Sequence, residues 1–229
     1  MENRIGISFT RFEIALWFSS VLAVFVSFLL SPVRDPFSLA ASLIGVTALI
    51  FLAKGRVAGQ FLVIVFAALY GIVSWRVAYY GEMITYLGMS APMAIASAIS
   101  WLRHPHEGSH EVAVARLSRR ALGGVLVITA FVTVAFYFIL DAFDTARLAV
   151  STLSVATSFF AASLTFLRSP FYALAYAVND IVLILLWILA LESDPASLSM
   201  ILCFLAFLAN DLYGYASWRR LEARQCNES

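Results

Sequence analysis

Charged residues are scarce in this chain. Asp, Glu, Lys and Arg make up 13% of its 229 residues, whereas a soluble domain usually contains about 25%. Hydrophobic residues make up 62% and the mean hydropathy is +0.90. This composition excludes an ordinary soluble domain and predicts an integral membrane protein. The formal net charge of +1 gives no reason to expect a nucleic-acid partner.

Cysteine and the motifs of catalysis are scarce as well. The two cysteines, Cys203 and Cys226, are too few for a disulfide framework. There is no glycine-rich nucleotide loop, nucleophile elbow or Cys-x-x-Cys motif. His104, His106 and His110 have a spacing that can bind a metal, but unpaired histidines in a basic loop favour a solvated surface. We therefore predict no metal, no cofactor and no enzyme activity.

Long apolar segments are what the chain has in abundance. Eight of them approach the roughly 20 residues that a membrane-spanning helix needs, and they predict an all-α protein with eight transmembrane helices. The first segment is too long for the apolar region of a cleavable signal peptide, so none is expected. The predicted spans are 12–30, 36–53, 59–77, 83–102, 121–140, 149–167, 171–191 and 196–217.

The loops between these spans differ in charge. Twelve of the 15 lysines and arginines fall on one side when the loops are numbered alternately from the N-terminus. Because cytoplasmic loops carry the excess of Lys and Arg, both termini and the long 103–120 loop are predicted to be cytoplasmic.

An internal repeat is visible in the spans. Spans two to four (36–102) end in Ile99-Ser-Trp101-Leu-Arg103, and spans six to eight (149–217) end in Ala216-Ser-Trp218-Arg-Arg220. Lys54 and Arg168 match at the turn after the first helix of each triplet. Both triplets have the same orientation, which predicts a parallel repeat of two three-helix bundles. Residues 121–140 are then a linker helix and 12–30 an extra helix, all within one transmembrane domain, 1–229.

Polar residues lie near the middle of the seventh span. Tyr172, Tyr176 and Asp180 are spaced at i, i+4 and i+8, so they line one helix face next to Asn179. A charged residue at that depth costs about 2.5–3.5 kcal/mol on insertion scales, so it must face protein, water or a ligand. The alternative is that Asp180 only forms a buried hydrogen bond between helices.

A second polar pair lies in the last span. The pair is Asn210 and Asp211, and Tyr213 follows it. Asn210 lies eight residues before Trp218, which is about 12 Å along the helix. Two such pairs on adjacent antiparallel helices can converge on one cavity, and transporters hold substrate near the midplane. We predict a substrate site there.

Other candidates are more scattered. Gln60, Tyr70 and Trp187 are predicted to contribute to the cavity, and the second triplet is expected to line most of it. Glu82 is expected in a solvated outer turn, where it can attract cations. Pro92 is expected to kink the fourth span.

This set of side chains suits a particular ligand chemistry. Carboxylates attract cations, aromatic faces bind flat cations, and asparagines recognise hydroxyl or amide groups. The combination favours a small, flat, cationic or amide-bearing aromatic compound with a hydroxylated part. The alternatives are a membrane scaffold or sensor whose acids only fix helix packing, a proton relay and, third, a membrane-embedded enzyme.

Five groups of residues carry a resemblance to a known family: Tyr79-Tyr80-Gly81-Glu82-Met83, Pro92-Met93, Trp101-Leu-Arg-His-Pro105, Tyr176-Ala-Val-Asn179-Asp180, and Asn210-Asp211-Leu-Tyr213-Gly214 with Trp218. These stretches resemble the PnuC family of bacterial nicotinamide riboside transporters. The resemblance implies a SWEET-like 3+1+3 fold in the inner membrane, a homotrimer, and facilitated diffusion of nicotinamide riboside with trapping by a cytoplasmic kinase. The family's cavity aromatics on the seventh span are often Trp, whereas here they are Tyr172 and Tyr176, so thiamine or riboflavin remain alternative substrates.

Overall fold

The computed structural model describes residues 9–32, 34–76, 80–145, 147–191 and 197–228. In these residues the regular structure is helical, apart from one isolated bridge between Pro105 and Val112. Eight helices are long and apolar enough to cross a membrane, as predicted. They are α1 Arg11–Leu30, α2 Pro36–Ala53, α3 Val57–Arg76, α4 Tyr80–Arg103, α5 Arg119–Ala142, α6 Leu148–Phe166, α7 Tyr172–Ala190 and α8 Ser197–Glu228.

The predicted helix ends agree with the structure to within a few residues, with one exception. Helix α8 continues to Glu228, well past the predicted end at 217. Its last turns carry polar residues, which a hydropathy pattern does not include in a span. The predicted ends at 77 and 196 lie outside the described residues.

Local capping signals start the first two helices. Thr10 and Glu13 form a capping box at α1. The Asp35 carboxylate accepts hydrogen bonds from the backbone and hydroxyl of Ser38 at α2, where Pro36 is the first helical residue. Burial alone would raise the pKa of Asp35, but these hydrogen bonds outweigh it and hold that pKa below its usual value.

Helix α4 is not continuous. A π-helical turn, Tyr86–Ser90, separates Tyr80–Thr85 from Ala91–Arg103. The irregularity predicted at Pro92 therefore lies one turn earlier, and Pro92 follows as the α-helix restarts. Proline lacks the N–H that would bond to the carbonyl four residues back. Single π-helical turns are frequent at functional sites.

Helix α1 is attached by polar contacts to α2 and α8. The Glu13 carboxylate, 2% exposed, lies 3.1 Å from Lys54 Nζ and accepts a 2.8 Å hydrogen bond from the Tyr213 hydroxyl. Deeper in the bundle, Asn210 Nδ2 donates to Ser20 Oγ at 2.7 Å. These contacts fix α1 at two levels along its length.

One end of the bundle, called the closed end, carries the α2–α3 turn, the 104–118 loop and the α6–α7 turn. Its core contains the fully buried rings of Trp101 and Trp218. Trp101 Nε1 donates to the carbonyl of Thr165 at 2.9 Å, and Trp218 Nε1 donates to the carbonyl of Leu52 at 2.8 Å. The last helix of each predicted triplet is thereby bonded to the first helix of the other.

The two turns at the closed end have the same local geometry. Gly55 N donates to Leu52 O, and Arg168 N donates to Thr165 O. Gly55 and Arg168 both have positive φ, 64° and 57°, which is uncommon for a residue with a side chain. In this turn geometry Arg168 corresponds to Gly55, one position after Lys54, which the sequence pattern pairs with it.

Candidate functional site

A cavity of about 380 Å³ opens at the opposite end of the bundle, called the open end. Its volume falls in the range of small-molecule sites. Both halves of the chain contribute to the lining: α6, α7 and α8 supply ten of the lining residues, and α3 and α4 supply seven. The polar and aromatic lining includes Tyr70, Glu82, Tyr86, Ser90, Ser151, Ser154, Ser158, Asn179 and Trp187.

One wall of the cavity combines an acid with aromatic rings. Glu82 lies within α4 and lines the cavity, not a solvated turn as expected. The Tyr70 hydroxyl lies beside the Glu82 carboxylate, and the ring centroids of Tyr70 and Tyr86 lie 4.4 Å apart. Phe66 supports both rings from behind, at 5.7 and 5.8 Å. A carboxylate beside aromatic faces can hold a flat organic cation.

The π-helical turn positions part of this wall. Tyr86 begins the turn and Ser90 ends it, and both line the cavity. Gly71 on α3 faces the turn so closely that an added Cβ would lie 2.5 Å from Leu87 Cγ. The absence of a side chain at position 71 therefore lets α3 approach the turn and sets the place of Tyr86.

The opposite wall is polar and uncharged. Ser151, Ser154 and Ser158 follow at spacings of three and four, so they share one face of α6. Asn179 on α7 is 6% exposed, and its Oδ1 accepts a 2.8 Å hydrogen bond from Thr157. It lies eleven residues before Ala190, the last residue of α7, and so about 16 Å below the open end. This wall offers hydrogen bonds to hydroxyl and amide groups near the membrane midplane.

The cavity mouth is formed by the α5–α6 loop and the start of α4. A Cβ added to Gly81 would lie 2.5 Å from Thr145 Oγ1, so the two segments touch closely. Asp144 and Arg147 both have positive φ, and Arg147 donates to the carbonyl of Leu189 at the end of α7. The loop is thus bonded to α7 across the mouth.

A family model described as nicotinamide mononucleotide transporter matches residues 35–220, most of the chain. The chain belongs to this transporter family. Two relatives are named nicotinamide riboside transporter PnuC, which confirms the PnuC resemblance predicted from the sequence. The protein from Neisseria mucosa is 28% identical over 227 residues, which are 96% of this chain and 85% of that protein. The protein from Haemophilus influenzae is 26% identical over 182 residues, which are 79% and 77% of the two chains.

The family fold has also been solved. A crystal structure of the vitamin B3 transporter PnuC matches this transporter chain with a TM-score of 0.82 and covers 97% of both chains. The sequences are 24% identical in that comparison, so the likeness shows the fold. It agrees with the all-helical membrane architecture predicted from the apolar spans.

Of the ten predicted substrate residues, the structure places Tyr70, Asn179 and Trp187 on the cavity wall. The other predicted positions lie between the cavity and the closed end. Tyr172 is 1% exposed, and its ring centroid lies 4.8 Å from that of Trp218, while the ring of Tyr176 lies beside Tyr172 at 6.4 Å. These two tyrosines belong to the core of the closed end.

The two acids form a pair behind the cavity. Asp180 and Asp211 are 3% and 5% exposed, and their carboxyl groups lie next to each other across α7 and α8. Among the described residues, Asp180 Oδ2 has no hydrogen-bond partner.

The last three predicted residues also face helices and not the cavity. Asn210 is bonded to Ser20, and Tyr213 to Glu13. Gln60 is 2% exposed on α3, and its Nε2 has no partner within the part of the chain that the structure describes. Buried polar atoms without a protein partner are uncommon and need an explanation.

Several lining residues were not predicted, although their spacing in the sequence places them on one face of a helix. The serines of α6 repeat along one face of an apolar span. Tyr86 follows Glu82 by four residues, one helical turn, but the apparent turn at residues 79–82 obscured that spacing.

The histidines of the long loop do not converge. His104 Nδ1 lies 2.8 Å from the carbonyl of Ser100, and His106 Nε2 lies 3.0 Å from Glu228. Within the described residues, no three His, Cys, Asp or Glu side chains lie close enough together to hold a metal ion.

Proposed function

We propose that this protein carries nicotinamide riboside across the membrane by facilitated diffusion, through the cavity at the open end. The observation that carries the proposal is the convergence of Glu82, Tyr70, Tyr86 and Asn179 on one cavity of about 380 Å³. The names of the two relatives identify the same class of substrate.

The chemistry of nicotinamide riboside matches the two walls. Its pyridinium ring is flat and cationic, which suits the Glu82 carboxylate and the rings of Tyr70 and Tyr86. Its carboxamide and ribose hydroxyls need donors and acceptors, which Asn179 and the α6 serines supply. Trp187 closes the apolar side of the site.

We assign the deeper predicted residues to the lower part of the substrate path. Asp180, Asp211 and Asn210 lie below the cavity wall, together with Gln60, Tyr172, Tyr176 and Tyr213. The buried polar atoms without partners at Asp180 and Gln60 support this assignment, because a substrate or water in another conformation would satisfy them.

The proposed architecture is two parallel three-helix bundles, α2–α4 and α6–α8, joined by α5 with α1 as an extra helix. The equivalent geometry of the Leu52–Gly55 and Thr165–Arg168 turns supports this repeat. Most of the lysines and arginines lie at the closed end or near it, so we place that end and both termini in the cytoplasm of a bacterium, with the helices in its inner membrane.

The proposed mechanism is uniport. Alternating access then needs one bundle to rock against the other around a midplane site. Among the described residues the acids do not form a chain across the membrane, as a proton relay would. Net accumulation requires a cytoplasmic kinase that phosphorylates the ribose. Unmodified substrate that rises above its external concentration under an imposed proton or sodium gradient would contradict uniport.

We also propose a homotrimer, as the family resemblance implies. Helix α5 supports it because it is the least buried span, with large apolar side chains such as Val127 and Phe131 exposed. Native mass spectrometry in detergent measures the subunit number directly.

The decisive experiment is uptake into proteoliposomes by wild type and Glu82→Gln. Losing a charged partner costs about 1.5–3 kcal/mol, so nicotinamide riboside affinity should fall about ten- to hundred-fold. Glu107→Gln, an exposed loop acid outside the cavity, is the matched control and should behave as wild type. Thiamine and riboflavin, tested in parallel, identify the substrate. No uptake of nicotinamide riboside by wild type, or equal uptake by both Glu82 forms, would contradict the proposal.

A further inference from the structure

The 104–118 loop contains a segment, residues 111–117, that crosses the closed end; we call it the strap. Val112 N donates to the carbonyl of Gly55 at 2.9 Å, and Ala115 N donates to the carbonyl of Arg168 at 3.0 Å. Gly55 and Arg168 are the equivalent positions of the two turns. The strap therefore links the first half of the chain to the second, with donors three residues apart.

The centre of the strap is buried. Val112 is 1% exposed and packs in the cluster that contains Trp101, Trp218 and Tyr172. Val114 and Leu117 lie against the same cluster. The side chain of Val112 is thus part of the same buried core as the tryptophan pair.

Gln225 of α8 holds the strap from outside. Its Oε1 accepts from Val114 N at 2.8 Å, and its Nε2 donates to the carbonyl of Val112 at 3.0 Å. Two ion pairs flank it, Glu111 with Arg224 and Arg116 with Glu222. These contacts explain why α8 continues as a helix beyond the membrane span.

The contacts of the strap fall into two groups, one to the first half of the chain and one to the second. Its loop folds back on the end of α4, since Ala113 N donates to His104 O, and its Gly55 contact also belongs to the first half. The contacts to Arg168, Glu222, Arg224 and Gln225 all belong to the second half. Separation of the two halves would keep the first group of contacts and break the second.

We infer that the strap is the inner gate of the transporter, with Val112 as its plug and Gln225 as its clamp. This inference rests on the proposed function. Substrate in the cavity at the open end reaches the other side of the membrane only after the strap leaves α8 and the α6–α7 turn. The strap stays on α4 and the α2–α3 turn as it does so.

A crosslink tests whether the strap must leave. Glu111→Cys with Arg224→Cys, in a Cys226→Ser background, is joined by a short cleavable bis-thiosulfonate reagent. We expect loss of nicotinamide riboside uptake, unchanged binding of nicotinamide riboside by tryptophan fluorescence, and recovery of uptake on reduction. The control pair His106→Cys with Glu111→Cys ties the loop only to itself and should leave uptake intact. Normal uptake by the crosslinked 111–224 pair, or loss of binding along with uptake, would overturn the gate.

A second measurement does not depend on the substrate. In the same Cys226→Ser background, Val112→Cys should react slowly with a membrane-impermeant maleimide, and Gln225→Ala should speed the reaction by releasing the strap. Asn227→Ala, an exposed amide on the same helix, is the control and should not change the rate. An equal rate with and without Gln225 would overturn its role as the clamp. If the protein neither binds nor carries nicotinamide riboside, this labelling still reports on the strap, so the two proposals fail separately.

Discussion

Trp101 and Trp218 are each fully buried, with ring centroids 5.3 Å apart, and each donates its indole N–H to a carbonyl in the opposite half of the chain. Each half therefore donates one of these hydrogen bonds and accepts the other.

Replacing either tryptophan with phenylalanine should weaken this joint. Trp101→Phe and Trp218→Phe each remove a buried hydrogen bond and leave a void, so we expect each to lower stability by about 1–3 kcal/mol. Thermal unfolding in detergent measures the effect. Trp75→Phe is the control, since Trp75 is 62% exposed, and should be nearly neutral. Equal losses for Trp75 and Trp218 would contradict the importance of the joint.

Adjacent residues on α7 should respond differently to substitution. Asn179→Ala removes a hydrogen-bonding group from the cavity wall, so nicotinamide riboside affinity should fall about two- to twelve-fold. Asp180→Asn keeps the shape of a side chain that faces Asp211 and should change affinity less. Binding measured by tryptophan fluorescence tests this order. The reverse order would mean that the acid contacts the substrate.

Gly71 should not tolerate a methyl group. In Gly71→Ala the new Cβ would overlap Leu87 and displace the π-helical turn, with a cost of about 1–3 kcal/mol and weaker substrate binding. Gly124→Ala is the matched control, because nothing lies within 4 Å of its ideal Cβ. That change should be neutral or stabilising by up to about 1 kcal/mol. Unfolding and binding of both variants decide whether close approach of α3 sets the site.

Asp35 should stabilise α2 in a pH-dependent way. Asp35→Ala removes the N-cap and should cost about 0.5–2 kcal/mol near neutral pH. Because the pKa of Asp35 in the folded protein lies below the usual 3.8, its charge stabilises the fold above that value. The contribution is lost as the pH falls through the lower folded pKa. The difference between wild type and variant should therefore shrink in acid unfolding experiments; a constant difference would exclude the carboxylate as its source.

Reporter fusions should test the orientation. Fusions at the N-terminus, within residues 103–120 and at the C-terminus should all read cytoplasmic, because the positive charges gather at that end. A periplasmic reading from the C-terminal fusion alone would contradict the even number of crossings.

The spans could be predicted because the bilayer imposes one length on every crossing helix, whatever its neighbours. The position of side chains around each helix could not. Tyr172, Tyr176 and Asp180 share a face, as their spacing indicates, but that face packs on α8. Asn179 is rotated by about 100° from Asp180 on the helix, and only the packing of α7 shows that this rotation turns it to the cavity.

Glu82 and the end of α8 show that a local sequence pattern also does not reveal contacts between residues far apart in the chain. Both looked like solvated polar segments, because hydropathy measures composition and not contact. Glu82 is covered by Tyr70 from a different helix, and the last turns of α8 are covered by residues 111–117. Such contacts join residues far apart in the chain, so no local pattern reveals them.

The acceptors of the two indole hydrogen bonds are main-chain carbonyls, one at a leucine and the other at a threonine. A carbonyl is present whatever side chain the residue carries. Substitutions that the buried surroundings of positions 52 and 165 accommodate would therefore leave the joint between the halves in place. Libraries that vary Leu52 and Thr165 should keep these two bonds in every member that folds.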